Sequence, residues 1–157
     1  MIILAFNIVL HEPEIPTNTG NIARTCAATG ARLHLIKPLG FSTDDKMLKR
    51  AGLDYWHAVE INYYDSINQL YQTYPNGRFF YATTKSNKSY SDVEYQDEDF
   101  LVFGKETAGI PMEILEKNWD MTITVPMGQV VRSLNLANSV AIILYEALRQ
   151  LNFPNLT

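Results

Sequence analysis

Short runs of apolar, β-branched and aromatic residues recur along this chain, and stretches with helical character separate them. FNIVL at 6–10, then 33–36, 58–61, FFYAT at 79–83, FLVF at 100–103 and 123–125 read as strands. Uninterrupted apolar runs of this length belong to strands covered on both faces. Between them, 21–28, 45–51, 66–74, 111–117 and 135–151 read as helices. Such alternation implies an α/β fold, a mostly parallel sheet with helices on both faces. A length of 157 residues with no linker, repeat or low-complexity tract sets the expectation of a single domain over 1–157.

Local punctuation refines this. His11-Glu12-Pro13-Glu14-Ile15-Pro16 reads as a stiffened loop, because two prolines oppose regular structure. Thr17 to Thr19 are N-cap candidates for the first helix and Gly30 is its C′ residue, while Ser133 is a cap candidate for the last. That last helix carries a stripe of Leu136, Val140, Leu144, Leu148 and Leu151, yet Ala141, Ile142 and Tyr145 leave its other side apolar too. A helix apolar around most of its circumference is covered on more than one side. A homodimer is the expected second cover.

Composition narrows the function classes. A chain 46% hydrophobic and 19% charged is not disordered, and the lone Cys26 with three histidines offers neither an internal disulfide nor a metal cluster. No metal is therefore expected. The opening MIILAFNIVLHEPE lacks a basic n-region, and no apolar run approaches the ~20 residues of a membrane span. The expectation is a cytoplasmic protein without a membrane partner. Net charge is −4, from 13 basic and 17 acidic residues, which opposes wholesale nucleic-acid coating and makes DNA an unexpected partner. Lys46, Lys49 and Arg50 nevertheless cluster, as do Lys85 and Lys88.

Three segments differ from ordinary core or loop. In NTGNIARTC at 18–26, helical spacing puts Asn21, Arg24, Thr25 and Ala28 on one face, opposite Ile22, Cys26 and Thr29. This reading places Arg24 in the first turns of a helix, where free N–H groups and the dipole suit a phosphate. A surface arginine paired with a carboxylate is the competing reading. In FGKETAGIP at 103–111, a buried strand runs into two glycines and a proline; it carries no dinucleotide or P-loop fingerprint, and a plain turn accounts for it equally well. In VPM at 125–127 and RSLNLANS at 132–139, polar residues crowd the start of the most apolar helix.

In this order and spacing, NTGNIART, FGKETAG and VPM…RSLNLANSVA resemble the SPOUT class of S-adenosylmethionine-dependent RNA 2′-O-ribose methyltransferases. The resemblance spans nearly the whole chain. NIVLHEPEIPTNTGN, DDKMLKRAGLDY and YEALRQL bring it nearest to the tRNA (cytidine/uridine-34) 2′-O-methyltransferases of the TrmL (YibK-like) type.

The resemblance implies a C-terminal deep trefoil knot, a homodimer, S-adenosylmethionine as methyl donor and the wobble ribose of a tRNA, leucine tRNA above all, as acceptor. It implies cofactor contacts at Ala82, Gly104, Val125 and Ser133, with Met127 and Leu134 beside them, and a catalytic group of Arg24, Asn135 and Tyr145. Asn21, Lys46, Lys49, Arg50 and Arg132 are the expected RNA contacts, and no metal takes part. A base-methylating relative and a non-catalytic RNA-binding factor with the same fold are the alternatives.

Overall fold

The computed structural model of the protein describes residues 4–44 and 46–157, and the side chains at 49 and 51–54 lie outside that description. Six strands form one sheet: β1 (Asn7–His11), β2 (Arg32–Ile36), β3 (Ile61–Tyr64), β4 (Phe79–Ala82), β5 (Phe100–Phe103) and β6 (Thr122–Ile123). Their order is β3-β2-β1-β5-β4-β6, and every pairing is parallel. β6 pairs with β4 on the side away from β5, so residues 104–121 carry the chain across β4 before the last helix returns.

The helices are α1 (Pro16–Thr29), α2 (Lys46–Trp56), α3 (Ile67–Thr73), α4 (Met112–Lys117) and α5 (Leu136–Gln150). Strand side chains alternate between two cores, as the pleat requires. Ile8, Leu10, Leu33, Leu35, Leu101 and Phe103 meet α1 and α5 on one face, whereas Val9, Ile36, Tyr81, Phe100 and Val102 meet α3 and α4 on the other. The expected parallel sheet covered on both sides is what forms. Burial also separates the faces of α1 as the helical spacing requires: Ile22, Cys26 and Thr29 point inward, Asn21, Arg24 and Ala28 outward. Gly30 closes α1 in the left-handed conformation at φ 78.

Four local readings are corrected. Pro16 opens α1 instead of holding a loop, since a first-turn position needs no N–H, and its N-cap is Ile15 with no side-chain cap from Thr17 to Thr19. β3 spans 61–64 because the N–H groups of Ala58 and Val59 bond back to Tyr55 and Trp56, closing the end of α2. Pro111 is the N-cap residue of α4, one position before its first turn. Asn135, not Ser133, caps α5: its Oδ1 accepts the N–H groups of Ala137 at 2.9 Å and Asn138 at 3.3 Å.

One buried polar rung crosses the sheet. Asn7 donates its amide to the Glu98 carbonyl, so its Oδ1 accepts from His34 Nε2 at 2.9 Å, and His34 Nδ1 accepts from the Tyr64 hydroxyl at 2.9 Å. Burial holds the His34 imidazole neutral, with its pKa lowered to about 4.

Candidate functional site

Beyond the carboxyl ends of β4, β5 and β6 lies a cavity of about 500 Å³. Ala82, Phe103 and Ile123, the last residues of those three strands, form its floor. Ligands of open parallel sheets bind at this end of the strands. The walls are residues 104–110 on one side and Met127 with 132–136 on the other.

The first wall is a tight turn. Gly109 adopts φ 72 and donates its N–H to the Lys105 carbonyl at 2.8 Å, folding the segment back on itself. A Cβ on Gly104 would stand 2.0 Å from the Gly109 carbonyl carbon and 2.1 Å from the Ile110 nitrogen, so only glycine fits there.

That turn is tied to the start of α1 by two carboxylates. Glu106 accepts the N–H groups of Glu14 at 2.9 Å and Ile15 at 2.8 Å, and the Asn18 amide at 3.2 Å. Glu14 reciprocates, accepting the Thr107 N–H at 3.0 Å and hydroxyl at 2.6 Å. The Thr107 bonds hold the Glu14 carboxyl below its ordinary range. Lys105 adds an ion pair to Glu12 at 3.3 Å. Asn135 then donates to Asn18 Oδ1 at 3.1 Å, which links α5 to the same network. Glu106 thus fixes the backbone leading into α1, while within the first turn the N–H groups of Asn18 and Thr19 bond to the Ile15 carbonyl at 3.1 and 3.3 Å.

The second wall is different. Residues 125–135 form neither helix nor strand, and Val130 is 99% exposed. Arg132 and Ser133 lie on the open side, and Leu134 packs inward at half burial.

Of the residues singled out in the sequence, Ala82, Gly104, Val125, Met127, Arg132, Ser133, Leu134 and Asn135 all line this cavity. Arg24, Asn21, Tyr145, Lys46 and Arg50 do not, and the Lys49 side chain lies outside the described residues. Arg24 is the ninth residue of α1 counted from Pro16, far beyond the four free N–H groups of the first turn, so the helix-terminus phosphate argument does not hold for it. Its guanidinium has no carboxylate partner among the described residues; it lies over the Tyr55 ring, 5.2 Å from the centroid. Contacts of this kind at exposed sites contribute about 0.5–1 kcal/mol. Lys46 and Arg50 are exposed on the side of α2 opposite buried Leu48, a solvated cationic face.

Glu106 and Asn18 stand inside the quoted motifs yet had no role assigned from sequence. Their partners are 88 to 117 positions away, and no local spacing reports such contacts. Thr83, Thr84 and Lys85 also line the cavity; Lys85 Nζ reaches the Met112 sulfur at 3.3 Å.

Comparison with known proteins places these features in context. Residues 5–145 match the SpoU rRNA Methylase family. A Bacillus subtilis protein, provisionally named a tRNA (cytidine(34)-2′-O)-methyltransferase, is 54% identical over 99% of this chain and 99% of its own. The Escherichia coli K12 tRNA (cytidine(34)-2′-O)-methyltransferase is 48% identical over 94% of this chain and 95% of its own. A solved structure described under the 2-OH methylation of C/U34 on tRNA superposes with TM-score 0.90, at 43% identity, covering 95% of this chain and 97% of that one. The SpoU methyltransferase AviRb of Streptomyces viridochromogenes, solved in complex with AdoMet, shares the fold at TM-score 0.86 and 22% identity, covering 97% of this chain and 60% of that one.

Proposed function

The chain belongs to the SpoU rRNA Methylase family, and from that membership we propose that it methylates the ribose 2′-hydroxyl of nucleotide 34 of tRNA, cytidine or modified uridine, with S-adenosylmethionine as donor. Leucine tRNA is the proposed acceptor, and a tRNA substrate sets the enzyme in the cytoplasm. The observation that carries the reading is the convergence of FGKETAG and VPM…RSLNLANS on one cavity, joined there by Asn18 of the first motif.

The cavity residues suit such a donor. About 500 Å³ falls within the roughly 300–1,000 Å³ usual for small-molecule sites. Ala82, Ile110, Ile123, Val125 and Leu134 offer apolar contact, and the Gly104 turn brings backbone close to whatever enters. When bound, S-adenosylmethionine supplies an electrophilic methyl group on a sulfonium sulfur. The protein's part is chiefly to align the attacking hydroxyl, because alignment alone removes much of such a barrier.

Arg24 takes the catalytic role in this reading. A guanidinium cannot accept the hydroxyl proton, which leaves to the neighbouring phosphate or to water as the sulfonium becomes a thioether; Arg24 grips that phosphate through its donor fork and stabilises charge growing on the ribose oxygen. Asn135 and Tyr145 complete the group, while Asn21, Arg132 and the cationic face with Lys46, Lys49 and Arg50 hold the RNA backbone.

Arg24 lies outside its own chain's cavity, which supports a homodimer in which one protomer's arginine serves its partner. Exposed Val130, Val131 and Tyr145 supply apolar surface for that contact. The knotted C-terminal path belongs to the same proposal, with the crossing of 104–121 over β4 as its support.

Incubation with labelled donor and total tRNA, followed by mass-spectrometric mapping, tests the assignment. A methyl on the ribose of nucleotide 34 is expected. A methyl on a base contradicts ribose chemistry, and absence of transfer with intact RNA binding identifies a non-catalytic factor.

A further inference from the structure

We propose that Tyr55 is a positioning residue for Arg24, acting on methyl transfer through the face of its ring; this rests on the arginine's catalytic role given above. The starting observation is how the arginines are partnered. Arg32 reaches Glu98 at 2.7 Å, Arg149 reaches Glu146 at 2.8 Å, and Arg78 faces Asp99 at 3.4 Å. Arg24, Arg50 and Arg132 have no carboxylate among the described residues, and of these three Arg24 is the one whose guanidinium lies over an aromatic ring, that of Tyr55, 5.2 Å from the centroid.

The difference has a chemical consequence. A carboxylate would fix the guanidinium firmly, but it would occupy the N–H edge that must grip an incoming phosphate and would cancel its charge. An aromatic face attracts the cation through the ring quadrupole and leaves the N–H edge free. Arg24 is thereby oriented and uncommitted.

The fold makes this placement dependable. α2 packs along α1, and on a helical wheel Tyr55 falls on the same side as Leu48, which is fully buried. The Lys46 and Arg50 side of α2 points the other way, to solvent. One helix therefore serves two ends: its outer face offers charge to an RNA backbone, and the rim of its α1 side, where Tyr55 is 37% exposed, holds the arginine.

Steady-state kinetics on the full chain test this with Tyr55→Phe, Tyr55→Leu and Arg24→Ala, using S-adenosylmethionine and tRNA lacking the 34 modification. Tyr55→Leu should lower kcat roughly tenfold to a hundredfold, the scale of a small misplacement of a reacting group. Its KM for the donor and its melting temperature should stay at wild-type values, and Tyr55→Phe should restore kcat. In NMR spectra of arginine-labelled protein, the Arg24 Nε–H signal should shift in Tyr55→Leu and keep its place in Tyr55→Phe.

Wild-type kcat in Tyr55→Leu beside an inactive Arg24→Ala overturns the role of Tyr55 and leaves the arginine reading standing. Full kcat in Arg24→Ala overturns both. A defect that Tyr55→Phe fails to restore overturns the ring as the agent.

Discussion

Two walls enclose the cavity, and they are built on opposite principles. The wall at 104–110 is held by its own chain: a glycine turn with no room for a Cβ, two interlocking carboxylates and an ion pair. The wall at 127–135 has none of this over its middle, where Gly128 meets open space and Val130 is 99% exposed. For a site that takes both a donor and an RNA, a surface fixed in advance suits the one and a surface left open to a second macromolecule suits the other. Strength of intrachain bonding marks which is which.

The largest expected effect comes from breaking the fixed wall. Gly104→Ala drives a methyl group into the Gly109–Ile110 peptide, so donor binding measured by calorimetry should be lost outright. Next is the open wall: Val130→Asp places an unpaired charge in the proposed subunit contact. It should weaken association by on the order of 3 kcal/mol or more, read by sedimentation, and leave the protomer's fold intact because the residue is solvent-facing within one chain.

Acid attacks neither wall first. His34 has its pKa lowered to about 4 by burial, so the unfolded chain binds more protons than the folded one between about 6.5 and 4. Its contribution, on the order of 3 kcal/mol, is complete above that window and is lost as pH falls through it; melting temperatures from pH 7 to 4 should decline accordingly. Glu14, whose carboxyl is held low by Thr107, keeps the fixed wall pinned until more acid conditions.

Smaller changes sharpen the contrast. Glu106→Gln keeps one acceptor oxygen but sets an NH2 group against the backbone N–H of either Glu14 or Ile15, which should cost about 1–3 kcal/mol in thermal unfolding and weaken donor binding. Gly128→Ala should change stability by less than about 0.5 kcal/mol, since a Cβ there touches nothing. Equal penalties for Gly104→Ala and Gly128→Ala would erase the distinction between the walls.

Local chemistry made the sheet legible. FLVF at 100–103 is buried along its whole length, and its apolar run needs no other explanation. Legibility failed wherever a distant group settled a local choice. Thr17 to Thr19 look like caps, but α1 begins earlier, at Pro16, on a backbone that Glu106 holds through the N–H groups of Glu14 and Ile15 from 92 and 91 positions away. Ser133 and Asn135 are both capping residue types, and the path of the chain into α5, which no spacing encodes, selects Asn135. Ala58 and Val59 are apolar enough for a strand, yet the turn ending α2 takes their N–H groups.

The cavity itself illustrates the limit. Ala82, Gly104, Val125, Ser133 and Leu134 have no individual signature of a binding site, and only their resemblance to a family pattern marked them together. Their convergence depends on β6 lying beyond β4, a crossing that alternating strands and helices do not specify. Arg24 shows the converse: its type and face were readable, whereas its place well inside α1, over an aromatic ring, was not.

Amide hydrogen exchange with and without S-adenosylmethionine addresses the cavity directly. The account predicts slowed exchange at 82–84, 104–110 and 125–136 together, with the larger change on the open wall. Protection confined to other parts of the molecule, such as the loops at 73–78 and 96–100 at the opposite end of the sheet, would contradict it.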